Sequence, residues 1–155
     1  MQDFSLSLPM RLYRALDAVM PSFRAIFGQS GLTEQQWRIL RVLWEHETIT
    51  PRELSGLTLI PNPSLVGIID RLSANGLVTR KPSTADRRSV LIQATKKGHN
   101  LEHQVTPLVN QLYKDLQHSV EPQVWTALVN GLDQITNAQT TNQTTNKVQQ
   151  KRSTG

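Results

Sequence analysis

Apolar residues recur three and four apart through most of this chain and alternate with polar ones in only one region. The pattern predicts a mainly helical protein with one small hairpin. Between Leu6 and Phe27, the positions Leu12, Leu16, Val19, Met20, Phe23, Ile26 and Phe27 keep helical spacing. Pro9 suits a first turn, where its missing N–H has no helical partner to lose. Pro21 removes a ladder bond inside the same stretch and predicts a kink near 19–21. The glycines at 28 and 31 then break the chain. Leu32-Thr33-Glu34-Gln35-Gln36-Trp37 signals a second start, with Thr33 as cap, Gln36 as capping-box partner and Leu32 at the staple position. That helix is expected to bury Trp37, Leu40, Leu43 and Trp44 and to end near His46. Ile49, apolar between two threonines, is a candidate one-residue edge of the later hairpin.

Thr50-Pro51-Arg52-Glu53 repeats the start signal, with cap, proline and acid in order. Only Leu54 and Leu57 follow before Thr58, so this helix is short. Asn62 is then read as a cap, Pro63 as the first helical residue, and Leu65, Ile68, Ile69 and Leu72 as one apolar face. Asn75-Gly76 supplies the left-handed stop. Two short helices with a tight link, the second amphipathic, are the sequence form of a helix-turn-helix. The opposite face of the second helix shows Ser64, Val66, Gly67, Asp70, Arg71 and Ser73, small at its N-terminal end. Leu77–Lys81 and Ser89–Gln93 alternate with period two around a turn-rich tip at 82–88, which predicts a hairpin with Arg87 and Arg88 near its apex.

A long helix follows from Lys96 to Val120, with Leu101, Val105, Leu108, Leu112 and Leu116 as its stripe and a bend at Pro107. After Glu121-Pro122 comes a last helix carrying Val124, Trp125, Leu128, Leu132 and Ile135. These outer helices hold more apolar surface than so small a winged unit can cover. With Leu6, Leu8 and Leu12 they point to a dimer interface. Beyond Asn137 the Thr, Gln, Asn and Lys residues show no periodicity and read as a disordered polar tail.

Composition narrows the function. The chain has 155 residues, 37% of them hydrophobic and 19% charged, which fits one globular domain. It lacks a membrane-length apolar run and a secretory pattern at its start, so the cytoplasm is the default compartment. It has no cysteine, which excludes a disulfide frame, a thiolate metal site and a thiol switch. The net charge of +5 is localised: Arg52 to Lys97 contains eight basic and three acidic residues, and the remainder carries nine of each sign. A basic excess confined to the helix-turn-helix and hairpin is the footprint of a polyanion, most simply nucleic acid.

An enzyme is the first rival. The sequence has no glycine-rich phosphate loop, nucleophile elbow or paired-carboxylate motif. His99 and His103, four apart, could share a helix face as metal ligands, but only Glu102 lies near and solvated histidines are the simpler reading. A winged helix used only for protein contacts is the second rival. The two apical arginines argue against it. No cofactor and no metal is expected.

With these residues in place, the chain resembles the MarR family of winged-helix regulators. The matching stretches are L-T-E-Q-Q-W-R-I-L-R-V-L, P-S-L-V-G-I-I-D-R-L-S-A-N-G-L-V-T-R and D-R-R-S-V-L-I, within about residues 6–136. The resemblance implies a mainly α (α+β) fold, a winged helix-turn-helix with N- and C-terminal helices forming a dimerisation region. The domain then spans 1–136, with a DNA-binding lobe at about 33–95, dimerisation helices at about 6–28 and 96–136, and the tail at 137–155. It further implies a homodimer on a pseudo-palindromic double-stranded operator. Asn62, Ser64, Val66 and Gly67 fall where the family meets the major groove, and Arg71 and Lys81 add to the DNA-facing set. Arg87 and Arg88 fall at the wing tip, with Asp86 as its structural support, paired with Arg71. Two departures bear on operator sequence: Ile60-Pro61-Asn62 stands where closer members tend to carry an arginine, and Ala94-Thr95 replaces a usual Leu-Thr. The family's effector pocket maps onto Met10, Arg14, Phe23, Trp37 and Arg41, a set suited to a small aromatic carboxylate. The function implied is a ligand-responsive repressor of an aromatic-compound catabolic operon. The alternatives are a regulator of an efflux or stress operon answering to another small lipophilic acid, and a protein-interaction module.

Overall fold

The computed structural model describes residues 3–82 and 90–153, without the side chains of 139–153. A short 3-10 turn at Phe4–Leu6 leads into α1 (Leu8–Gln29), followed by α2 (Glu34–Glu45), α3 (Pro51–Thr58) and α4 (Asn62–Ala74). Strands β1 (Val78–Pro82) and β2 (Val90–Ala94) come next, then α5 (Lys96–His118) and α6 (Pro122–Ser153). The fold is the mainly helical winged helix-turn-helix that the sequence predicts. The strands pair antiparallel, Val78 opposite Ala94 and Pro82 opposite Val90. Ile49 adds an isolated bridge to Ile92 through two backbone bonds of 3.0 and 2.8 Å. That is the single-residue edge expected of it.

The predicted capping box at Thr33 forms, and the predicted cap at Thr50 is a capping box as well. The Thr33 hydroxyl accepts from the Gln36 N–H, and the Gln36 side chain accepts from the Thr33 N–H. This explains why Gln36 is buried among apolar neighbours: its polar end is already satisfied. Ile39, Leu40 and Leu43 form the inner face of α2, whereas Trp37 and Trp44 are half-buried rather than core. α4 buries the four residues its periodicity marks, Leu65, Ile68, Ile69 and Leu72. At about 1.5–3 kcal/mol for each large aliphatic side chain removed from water, this face anchors the helix. The core they join draws on α1 through Phe23 and Phe27, on α3 through Leu54, and on α5 through Val105 and Val109.

α1 is helical throughout with Pro21 inside it, and α5 likewise with Pro107 inside it. Several local expectations need correction. On α5 the buried positions are Gly98, Val105 and Val109, and Leu108 is exposed. α4 takes Pro61 as its N-cap, and Asn62 is its first helical residue, because the Pro61 carbonyl accepts the first bond, from Leu65 at 3.0 Å. α6 continues to Ser153, through the stretch read from sequence as a disordered tail. No proline or glycine interrupts residues 132–153.

Gly98 is a close-approach position that periodicity cannot reveal. A Cβ placed there would lie 2.3 Å from the carbonyl oxygen of Leu77, which no relaxation of a side chain could relieve. The Gly98 carbonyl also accepts from the Trp44 indole at 3.1 Å, and its N–H donates to the Thr95 hydroxyl at 3.1 Å. That hydroxyl in turn donates to the Gly76 carbonyl at 2.6 Å. The end of α4, the start of α5 and α2 are thereby locked to the base of the hairpin. By its contacts the chain divides into two compact units, 1–112 and 113–155. The helix-turn-helix and hairpin lie in the first.

Candidate nucleic-acid interface

The two helices of the motif are set at their angle by a turn with an unusual residue in it. Leu59 adopts φ 54° and ψ 29°, the left-handed region that branched side chains avoid, at a cost of about 1–2 kcal/mol. Its side chain stands 82% exposed, and the next residue, Ile60, is fully buried. The strain therefore turns the chain so that Ile60 plugs the core and α4 departs. The turn is closed by the Ser55 hydroxyl, which donates to the Ile60 carbonyl at 2.6 Å. Leucine gives no sequence signal for this conformation.

α3 is the better tethered of the pair. The Thr50 N–H and hydroxyl both donate to Glu53 Oε2, at 3.0 and 2.7 Å, and the Glu53 N–H returns to the Thr50 hydroxyl at 3.3 Å. The Thr50 hydroxyl, and after it the Thr50 N–H, hold the Glu53 carboxyl below the usual carboxylate range. α4 has no side-chain cap. Its outward side presents Asn62, Ser64, Val66, Asp70 and Arg71 to solvent, with Gly67 half-exposed among them. The predicted major-groove set therefore lies together along one helix, open to a partner.

The hairpin adds a contact that sequence reasoning missed. Arg80 of β1 pairs with Asp70 of α4, Nη2 to Oδ1, at 2.5 Å, with both side chains partly exposed. The pair ties the wing's first strand to the outer face of the helix and neutralises the one carboxylate on that face. Ten residues and a change of element separate the two, so no local pattern announces it. Lys81, next to Arg80, is exposed. Asp86, Arg87 and Arg88 lie outside the described residues, and so does the expected Arg71–Asp86 pair.

The candidate effector residues are distributed differently. Phe23 is buried beside Phe27, ring centroids 6.3 Å apart, and Phe27 stacks on the half-buried Trp37 at 4.6 Å. Arg41 is exposed and pairs with Glu45 one turn on, at 2.6 Å. Arg14 donates to the Ser5 carbonyl at 3.2 Å, and Met10 is half-buried. His99 lies 3.4 Å from Glu102, and among the described residues no three His, Asp or Glu side chains group as metal ligands would. Among those residues, too, no helix is long and apolar enough to cross a membrane.

A helix-turn-helix with a free outer face on its second helix, braced by a hairpin rich in basic residues, defines a winged-helix DNA-binding protein. Comparison with known proteins agrees. The chain belongs to the MarR family, whose model matches residues 32–90, and is a transcriptional regulator rather than an enzyme. It is 36% identical over 111 residues to the homoprotocatechuate degradative operon repressor of Escherichia coli, covering 72% of this chain and 75% of that one. Among solved structures it is similar to NadR in complex with 4-hydroxyphenylacetate, at 32% identity and a TM-score of 0.74, with 87% and 96% of the two chains covered. It is also similar to the transcriptional repressor CouR bound to a 23-mer DNA duplex, at 28% identity and a TM-score of 0.79, with 88% and 96% covered.

Proposed function

We propose that the chain is a homodimeric repressor that occludes a promoter in the cytoplasm and releases it on binding a small aromatic carboxylate. The observation that carries the DNA half is the open outer side of α4, where Asn62, Ser64, Val66, Gly67 and Arg71 stand exposed or half-exposed along one helix, with Lys81 exposed on β1. In this reading α4 enters a major groove, and Arg87 and Arg88 at the wing tip enter the flanking minor groove, supported by Asp86. The dimer is supported within each unit by apolar side chains left in water. On α1 these are Leu8, Tyr13 and Leu16; on α6 they are Val124, Leu128, Leu132 and Ile135. A monomer gains nothing from such faces, and a two-fold partner would cover them. The DNA-binding lobe is then 33–95, and the dimerising segments are 6–28 and 96–136.

The effector reading rests on similarity to a repressor of homoprotocatechuate degradation and to a regulator crystallised with 4-hydroxyphenylacetate. Met10, Phe23 and Trp37 supply apolar and aromatic walls, and Arg14 or Arg41 the charge for a carboxylate. The acid acts by favouring a spacing of the two α4 helices that no longer matches successive grooves. A coupling free energy of about 1–3 kcal/mol is enough for useful induction. The test is a gel shift of the full chain on the DNA flanking its own gene, repeated with a panel of phenolic carboxylates. A specific shift released by one of them is expected. A specific shift that no compound moves would remove the effector claim and leave the operator claim standing.

A further inference from the structure

The outer face of α4 has a composition of its own. From Asn62 to Asp70 the helix carries no arginine or lysine, and the first cation is Arg71. The commonest specific reading of a base pair, a bidentate cation on guanine, therefore has no donor in the first two turns. Asp70 could accept from cytosine, but Arg80 holds it at 2.5 Å. What the face offers instead is apolar. Val66 is 52% exposed on a helix whose other large aliphatic residues are all buried to 2% or less.

Gly67 follows it in the chain and bears on the same approach. Its backbone is not left-handed, and a Cβ built there meets nothing within 4 Å. Neither the conformation nor the packing of the folded chain requires glycine, yet glycine costs a helix interior about 1 kcal/mol relative to alanine. Gly28, Gly56 and Gly131 are equally open, and what distinguishes Gly67 is its place on the outer side of α4 next to Val66, where the missing side chain leaves a partner room to approach the helix backbone.

Resting on the DNA-binding reading above, we infer that Val66 reads a thymine in each operator half-site through its 5-methyl group, with Gly67 leaving the room for that base edge to approach. An apolar side chain on a thymine methyl is an established means of readout, and the methyl is the one apolar feature in the major groove. Asn62, one turn before, and Ser64, two residues before, are exposed and are the hydrogen-bonding partners for adjacent bases, Asn62 being suited to an adenine.

The experiment selects binding duplexes from a random library with the full chain. Each thymine of the recovered site is then replaced in turn by deoxyuridine, which differs only in lacking the methyl. Affinities are measured for the wild type and for Val66→Ala, whose fold is checked by thermal melting. At one thymine per half-site, deoxyuridine should weaken the wild type about fourfold, the transfer value of one methyl group. The same substitution should cost Val66→Ala clearly less, since alanine keeps only one methyl to reach the thymine. If every thymine tolerates the replacement, or if the loss persists in full in Val66→Ala, the inference is overturned while the regulator reading survives. If no sequence is enriched at all, the DNA-binding reading fails and takes this inference with it.

Discussion

The two helices of the helix-turn-helix begin and end differently, and the difference separates a helix that supports from one that binds. α3 opens on a reciprocal Thr50–Glu53 box and ends in a strained left-handed leucine. α4 opens on a proline with no side-chain cap and stops at Gly76, φ 69°, where Leu77 and Gly76 donate back to Leu72 and Ser73. α3 thus spends its polar groups on itself. α4 turns every large aliphatic side chain but Val66 inward and leaves small or uncharged groups at its outer N-terminal end. Stability and recognition are divided between neighbouring elements, and substitutions can pull them apart.

The largest effect should come from the inner side of α3. Leu54 is fully buried and Leu57, one turn on, is 57% exposed. Leu54→Ala should cost about 2–5 kcal/mol in denaturant unfolding, and Leu57→Ala no more than about 0.5 kcal/mol. Equal losses would mean that the helix is seated on a different face.

Thr50→Ala should lower stability by about 1 kcal/mol, the usual worth of a cap, with operator affinity falling only as far as the fold loosens. Asn62→Ala should do the reverse: it caps nothing, so stability should move by less than about 0.5 kcal/mol, while specific affinity drops. A stability loss from Asn62→Ala as large as that from Thr50→Ala would return Asn62 to the capping role its sequence context first indicates.

Gly67→Ala sharpens the contrast further. With no neighbour within 4 Å of the new Cβ, it should stabilise the protein by about 0.8–1 kcal/mol and weaken operator binding. Thermal melting and anisotropy on the same preparation would read the opposed signs. The smallest effect is that of pH. Hydrogen bonds from Thr50 lower the folded-state pKa of Glu53, so at mildly acid pH the unfolded chain binds the proton more readily. Its contribution is therefore complete above the ordinary carboxylate pKa and declines as pH falls through the lowered value. The stability advantage of wild type over Glu53→Gln should shrink between pH 6 and about pH 3. An advantage independent of pH would show that the carboxylate's charge plays no part in the box.

How much of this was legible in the sequence follows from the range over which each signal acts. Leu65, Ile68, Ile69 and Leu72 announce the inner face of α4, and Thr33 and Thr50 announce the starts of α2 and α3, because period and capping act within a turn or two. The same signals say nothing of partners brought from elsewhere. The Asp70–Arg80 pair, the contact of Gly98 with the Leu77 carbonyl and the stacking of Phe27 on Trp37 all depend on how elements meet. Pro21 and Pro107 read locally as a kink and a bend, and both lie inside continuous helices. Past Asn137 the sequence lacks an apolar stripe, but a stripe reports burial and not helicity, and α6 runs on to Ser153. For the site, the face could be read and the wing's brace on it could not.

The most direct test of the central claim is equilibrium binding of the full chain to the duplex flanking its own gene and to a scrambled duplex, across a series of salt concentrations. The first duplex should be preferred at every salt. The logarithm of affinity should fall linearly with the logarithm of salt on both, since the basic residues of the lobe displace counterions from phosphate. Equal affinity for the two duplexes, or affinity that salt does not change, would contradict that claim.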